Sequence, residues 1–262
     1  MTDTDDRDLT EVHQRHAASF GAVAAEYDAG RPSYPGELFE EIERLTGRPL
    51  KDADVLDVGA GTGIATRLLT ARGARVIAVE PSQGMADQLR AVTPGFPVVK
   101  AGGDELPFHD DSADLVTYAQ AFHWTDPARS IPEAIRVLRP GGSLALWWNI
   151  KDQSVPWLDE QERRLAAKLS SHHYYGTRNG VTEPLADHDL RLSTVTLRWE
   201  RTLPVDSVIT DLRSKSYFAV EQPEVRERVL AEERAALLAA FPDGLVTEPY
   251  RLELTVATTA AG

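Results

Sequence analysis

The chain contains no cysteine. That removes disulfide frameworks, thiolate metal sites and cysteine nucleophiles together. There is no apolar run of about eighteen residues, so no membrane-spanning helix is expected. The opening MTDTDDRDLT is acidic and polar, without an apolar h-region, and does not read as a secretory signal. Positive charge is short: 28 Lys and Arg stand against 41 Asp and Glu, a formal net charge of −13. Phosphate binding needs a basic surface, so this balance argues against nucleic acid as the main partner. These absences lead to the expectation of a cytoplasmic protein with no membrane and no nucleic acid partner, a monomer or homodimer.

What is present is ordinary globular material. Of 262 residues, 42% are hydrophobic and 26% charged. A core of that size needs no disulfide or structural metal. From residue 54 to 149 short β-branched runs alternate with helical periodicity. Val55–Val58 is a buried strand, and 64–72 reads as a helix. Arg75–Val79 is a strand stopped by Glu80-Pro81, and 82–92 is helical. Pro97–Lys100 and Asp114–Ala119 read as strands. Residues 128–139 read as a helix ended by Pro140-Gly141-Gly142, and Ser143–Trp148 is the next strand. Such alternation predicts an α/β, doubly wound, mostly parallel Rossmann-like sheet of seven strands, the last one antiparallel, with helical lid insertions.

The expected organisation is an N-terminal tail and lid segment (1–36, with a helix over 11–30), a cofactor-binding core (37–150) and a lid insertion (151–192). A core strand (193–203), a helical lid insertion (204–248) and a final strand with tail (249–262) follow. Adjacent Trp147 and Trp148 point to opposite faces of their strand, so at least one belongs to the core.

The stretch VLDVGAGTGIAT carries the chemistry. Gly59, Gly61 and Gly63 sit between a strand and a helix, where backbone can approach a ligand. A dinucleotide fingerprint wants a small residue one position after Gly63, and Ile64 is bulky and β-branched. Asp57 before the loop would repel a pyrophosphate but suits an α-amino group. Glu80, at the end of the next strand, offers two acceptors that match the vicinal hydroxyls of a ribose. A nucleoside joined to an amino acid meets all three demands, and S-adenosylmethionine is that ligand.

VLDVGAGTG, AVEPS, ELPF, DSADLV and VLRPGGSLAL resemble the class I S-adenosylmethionine-dependent methyltransferases of the type-11 kind, over roughly residues 50–150. A narrower likeness rests on Tyr27-Asp28-Ala29-Gly30-Arg31-Pro32-Ser33-Tyr34-Pro35, Phe122-His123-Trp124-Thr125-Asp126 and Leu144-Ala145-Leu146-Trp147. These are similar to the fungal trans-aconitate methyltransferase group, which methylates a carboxylate. The resemblance implies cofactor contacts at Asp57, Gly59, Gly61, Thr62, Gly63, Glu80 and Pro81. Gly103 or Asp104 is implied near adenine, although the usual Gly-Asp-Ala is not matched there, and Gln120 lies at the carboxyl edge of the sheet.

Other candidates follow from residue type and place. Phe122, His123 and Trp124 lie just past the fourth strand, where an aromatic ring could face a cation and His123 could move a proton. Arg31 offers a planar fork for a carboxylate of cofactor or substrate, and Tyr27 and Tyr34 flank it. Tyr174 and Tyr175 are candidate substrate contacts. His172 and His173 precede them, but consecutive side chains diverge and no carboxylate follows at ligand spacing, so no metal is expected. These readings predict methyl transfer to a small molecule, by O-methylation and with a carboxylic acid favoured by resemblance. An N, C or peptide acceptor and a non-catalytic cofactor-binding protein stand as alternatives.

Overall fold

The computed structural model describes residues 31–169 and 182–261. The expected helix over 11–30, with Tyr27, and the segment with His172, His173, Tyr174 and Tyr175 lie outside the described residues. The chain divides into two compact units. One holds Ser33–Asn149, Arg178–Leu197 and Leu252–Gly262, and is called here the sheet unit. The other holds Met1–Pro32, Ile150–Thr177 and Arg198–Arg251, and is called the helical unit.

In the sheet unit, α1 (Gly36–Thr46) buries Leu38, Phe39 and Ile42 on one face, spaced as a helix requires. Alternation then begins with β1 (Asp54–Val58), α2 (Ile64–Ala71), β2 (Arg75–Val79), α3 (Gln83–Val92), β3 (Val98–Val99) and β4 (Ala113–Ala119). A 3₁₀ turn at Phe122–Trp124 leads to α4 (Pro127–Val137) and β5 (Leu138–Lys151). Asp126 caps α4 by accepting from the Ala128 amide at 3.0 Å, and Pro127 supplies the preset first-turn φ. β1 pairs in parallel with β2 and β4, β2 with β3, and β4 with β5. Each parallel pair needs a crossover on a face of the sheet, so the strands are largely apolar. Leu56, Val116, Leu144 and Leu146 are all buried.

The later elements are α5 (Pro156–Lys168), a 3₁₀ turn (Glu183–Asp187), β6 (Leu190–Pro204), α6 (Val205–Arg213), α7 (Ser216–Ala219), α8 (Pro223–Ala240) and β7 (Leu245–Thr259). The sheet has seven strands in the order β3-β2-β1-β4-β5-β7-β6. Gly141 donates to the Ala260 carbonyl and Asp152 to that of Pro249, so β7 runs antiparallel to β5. The doubly wound, mostly parallel sheet expected from the sequence is the observed one.

One local expectation needs correction. Pro140-Gly141-Gly142 ends no helix; α4 stops at Val137, and these residues lie inside β5, as does Arg139. The register shifts between Ala113↔Leu138 and Leu115↔Ser143, so β5 bulges where Pro140 cannot donate a ladder hydrogen bond. Trp147 and Trp148 are both buried, one more than the strand alternation required.

The helical unit has its own core. Leu165, Leu169, Leu212, Tyr217, Phe218, Val229 and Leu230 form one cluster, and Val205, Val208, Leu237 and Val246 form another. Arg164 of α5 grips the buried Glu233 of α8 with two bonds of 2.9 Å. Among the described residues no helix is long and apolar enough to cross a membrane, and none of their His, Asp and Glu side chains group as a metal site.

Candidate active site

The loops after β1, β2, β3 and β4 gather at the carboxyl edge of the parallel strands, where open α/β sheets bind ligands. The Gly59 and Ala60 amides both donate to the Val79 carbonyl, at 2.8 and 3.1 Å, which fastens the glycine loop to the end of β2. The backbone at Gly59 is left-handed (φ 68°), and a Cβ there would stand 2.4 Å from the Cβ of Ala121. Gly61 is also left-handed (φ 57°), but a Cβ on it would meet nothing within 4 Å. Packing therefore demands glycine at position 59, whereas Gly61 faces open space. Gly63 is buried beside Leu89 of α3, which lets α2 start tight against its neighbour.

Glu80 ties the loops together. Its Oε2 accepts from the Gly61 amide and its Oε1 from the Ser82 amide, both at 2.8 Å. Glu80 is 6% exposed, and each oxygen keeps a second lone pair for a ligand donor. Burial raises its pKa, with a further push from the Asp57 charge, against the pull of the two amides. Beyond β3, Asp104 is half-buried and accepts from the Asp126 amide at 2.9 Å, joining the loop after β3 to the start of α4. Gly103 is buried, and a Cβ there would stand 2.6 Å from the Tyr118 hydroxyl oxygen. The approach to Asp104 is pinned from below. Glu133 accepts from the Leu106 amide at 2.8 Å, and Arg136 donates to the carbonyls of Leu106 and Phe108 at 2.9 and 2.8 Å. After β4, Gln120 holds a left-handed backbone (φ 56°) rare outside glycine, with its amide on the Trp147 carbonyl at 2.9 Å. His123 and Trp124 follow, half-buried, with ring centroids 4.5 Å apart.

The site thus presents half-buried loop backbone at Gly61 and the Glu80 carboxylate at the end of β2, with the Arg67 guanidinium turned onto the Thr62 carbonyl. That donor set fits a nucleoside with a zwitterionic tail better than a pyrophosphate. A methyltransferase domain family matches residues 56–146, the stretch that builds this edge. An uncharacterized methyltransferase of Mycobacterium tuberculosis is 38% identical over 224 residues, covering 86% of this chain and 87% of that protein. The chain belongs to the class I methyltransferases. A solved structure from Anaeromyxobacter dehalogenans, provisionally described as a type II methyltransferase, superposes with a TM-score of 0.68 at 25% identity, covering 88% of this chain and 99% of that one. The malonyl-[acyl-carrier protein] O-methyltransferase of Methylococcus capsulatus is 40% identical over 135 residues, 48% of each chain.

The methyltransferase departs from the sequence reading at several residues. Asp57 does not face a ligand. It is 0% exposed, its Oδ2 accepts from the Thr66 hydroxyl at 2.5 Å and its Oδ1 from that of Thr117 at 2.9 Å. Burial pushes its carboxyl up to about 6 despite those hydroxyls. Asp57 braces the base of the loop against α2 and β4. Thr62 is buried at the turn, and its backbone carbonyl accepts from Arg67 at 2.8 Å. Phe122 is buried edge-on to Tyr118 with centroids 5.2 Å apart, which makes it core and leaves His123 and Trp124 as the accessible members of that turn. Tyr34 packs edge-on to the buried Trp147, at 5.7 Å. Pro81 is exposed. Arg31 belongs to the helical unit, where its charge acts on Asp211 and Lys215.

Sequence reasoning missed Thr66, Thr117 and the Glu133–Arg136 brace. A threonine within α2 and another in the middle of β4 were the only signals, and neither is unusual until the sheet places both beside Asp57. A cavity of about 360 Å³, lined by Asp54, Arg75, Phe108 and Ser112 among others, opens at the amino ends of β1 and β2. It lies at the edge opposite the glycine loop and is not the candidate site.

Proposed function

We propose that the methyltransferase binds S-adenosylmethionine at the carboxyl edge of β1, β2 and β4 and methylates an oxygen of a small molecule, a carboxylic acid before other acceptors. The observation that carries this reading is Glu80, held by the Gly61 and Ser82 amides with lone pairs to spare. Glu80 would take the ribose hydroxyls, the carbonyls of the half-buried Gly59–Gly61 loop the ammonium of the amino-acid end, and Asp104 the base. When bound, the cofactor supplies a methyl group on a sulfonium that is its own leaving group.

The chain's part is alignment and exclusion of water. Gln120, His123 and Trp124 border the cofactor loops at the end of β4. A carboxylate acceptor is already ionised near neutral pH and needs no base, so His123 would orient it by donating a hydrogen bond. A phenolic acceptor would give His123 a proton to accept. The named activity of the Methylococcus relative supports oxygen as the acceptor atom, and the likeness of Phe122–Asp126 to the trans-aconitate group supports a carboxylate.

Calorimetry with S-adenosylhomocysteine and with NAD tests the cofactor, and turnover of methyl-labelled cofactor over a panel of carboxylic acids, phenols and amines tests the acceptor. Binding of S-adenosylhomocysteine alone, with label appearing as base-labile methyl ester, is the expected result. Binding of NAD instead, or label only on amines, overturns the corresponding half.

A further inference from the structure

The carboxyl edge of the sheet unit holds one strained residue that the cofactor contacts do not use. Gln120 follows β4 with a left-handed backbone (φ 56°). Among the described residues the other non-glycine positions with positive φ are Asp52 and Asp111. A short acidic side chain eases that conformation by bonding locally to the backbone, and a glutamine does not. Glycine or asparagine would hold the same bend at less cost. The strain persists because the backbone is clamped on both sides. The Gln120 amide donates to the Trp147 carbonyl of β5 at 2.9 Å. The next residue, Ala121, is buried so close to the glycine loop that a Cβ on Gly59 would lie 2.4 Å from its own. Strain kept in place at a site edge is a reason to look for a function in the side chain.

That side chain is unused. Gln120 is half-buried, yet its carboxamide makes no hydrogen bond among the described residues. Two N–H donors and a carbonyl oxygen are left for a ligand. Sheet order gives the ligand its place. The strands run β3-β2-β1-β4-β5 along this edge. The function proposed above puts the base after β3, the ribose after β2 and the amino-acid end after β1. The next position, after β4, is left for the acceptor. No lysine or arginine occurs from Gln120 to Asp126, so a carboxylate bound there must be held by neutral donors.

We propose that Gln120 binds the acceptor's carboxylate, its NH₂ donating to one oxygen while the other attacks the methyl carbon. The O–CH₃ bond forms as the methyl–sulfur bond breaks, and the electron pair of the broken bond stays on sulfur. No proton moves, so Gln120 holds the acceptor and relays nothing. A neutral amide fixes the carboxylate without the ion pair that would hold its negative charge back from the methyl group. This assignment rests on the methyltransferase function proposed above.

Gln120→Met keeps the size of the side chain and removes its donors. Methyl transfer is measured for wild type and variant over the carboxylic acid panel, with trans-aconitate, malonate and benzoate in it. Calorimetry of the same acids follows, on protein saturated with S-adenosylhomocysteine. For each acid that the wild type methylates, KM and Kd should rise at least about tenfold in the variant, the loss of one charged hydrogen bond. The kcat should change less, and the affinity for S-adenosylhomocysteine should stay the same. Gln120→Asn retains an amide and suits the left-handed backbone, so it should recover part of the loss. Urea unfolding of Gln120→Gly needs no ligand, and its midpoint should not fall, since glycine relieves the strain. With the wild type active, unchanged KM and Kd in Gln120→Met overturn the role of Gln120 alone. A parallel loss of S-adenosylhomocysteine affinity overturns it in favour of a cofactor contact, and a lower midpoint for Gln120→Gly in favour of packing. A wild type that binds S-adenosylhomocysteine but methylates no acid of the panel overturns it together with the carboxylate acceptor. Failure of the wild type to bind S-adenosylhomocysteine overturns instead the function on which the assignment rests.

Discussion

Asp57 gives the sharpest test of how the loop is built. Its carboxyl is raised from 3.8 to about 6 by complete burial. In the unfolded chain the same group loses its proton near its ordinary value. Between the two values the folded state binds more protons, so this group's contribution to stability falls as pH rises through that window. A shift of about two units at about 1.4 kcal/mol per unit gives a total of about 3 kcal/mol. The contribution should be unfavourable and nearly constant above pH about 7 and absent below pH about 3. Asp57→Asn removes the titration while keeping the shape: the amide oxygen can accept from one threonine, and its NH₂ can donate to the hydroxyl of the other. Urea unfolding of the wild type and the variant, without ligand, from pH 4 to 8 measures the difference. The wild type should lose about 2.5 kcal/mol relative to Asp57→Asn between pH 4 and 7. Glu80 titrates in both proteins and largely cancels. A difference that is flat with pH, or that moves in favour of the wild type as pH rises, would refute a buried and strained Asp57.

Glu80→Gln turns an NH₂ group toward either the Gly61 or the Ser82 amide, now 2.8 Å from a carboxylate oxygen. That change lowers stability in the free and bound protein alike; losing in addition the charged bond proposed to a ribose hydroxyl costs about 1.5–3 kcal/mol, so S-adenosylhomocysteine should bind roughly ten- to 150-fold more weakly by calorimetry. Gly59→Ala and Gly61→Ala separate packing from ligand approach. The first places a Cβ 2.4 Å from Ala121 and should lower stability by about 1–3 kcal/mol. The second meets no neighbour, so it should cost only about 1 kcal/mol of backbone strain while weakening the cofactor out of proportion. Glu133 is held down to about 2 by Arg136. Its stabilisation is present above its unfolded value of about 4.5 and lost as pH falls toward 2. Acid unfolding of Arg136→Met should therefore begin from lower stability at pH 7 and show a shallower slope below pH 4.5 than the wild type.

The strands that build the edge were legible because each is short and largely apolar, with β1 stopped by Gly59 and β2 followed by Pro81, so local pattern and tertiary placement agree. The bulge at Pro140-Gly141-Gly142 was not, since the same residues that stop a helix also bend a strand, and only the pairing with β4 tells the two apart. Residue type singled out Glu80, and the structure places it at the end of β2 against the Gly61 and Ser82 amides. Asp57 misled for the complementary reason. Spacing put it at the loop, but direction was set by Thr66 and Thr117, nine and sixty positions away.

By itself the sequence determined the doubly wound sheet, the glycine loop after its first strand and the acid after its second, since these follow from periodicity and from residues with few alternatives. Tertiary structure alone decided which of the predicted contacts face open space and which brace the loop from inside. It also brought Lys151, Arg201, Asp211, Lys215 and Glu248 together from separate strands and helices. No local pattern foretells such a cluster, because a buried charge is stable only beside partners that the fold must first assemble.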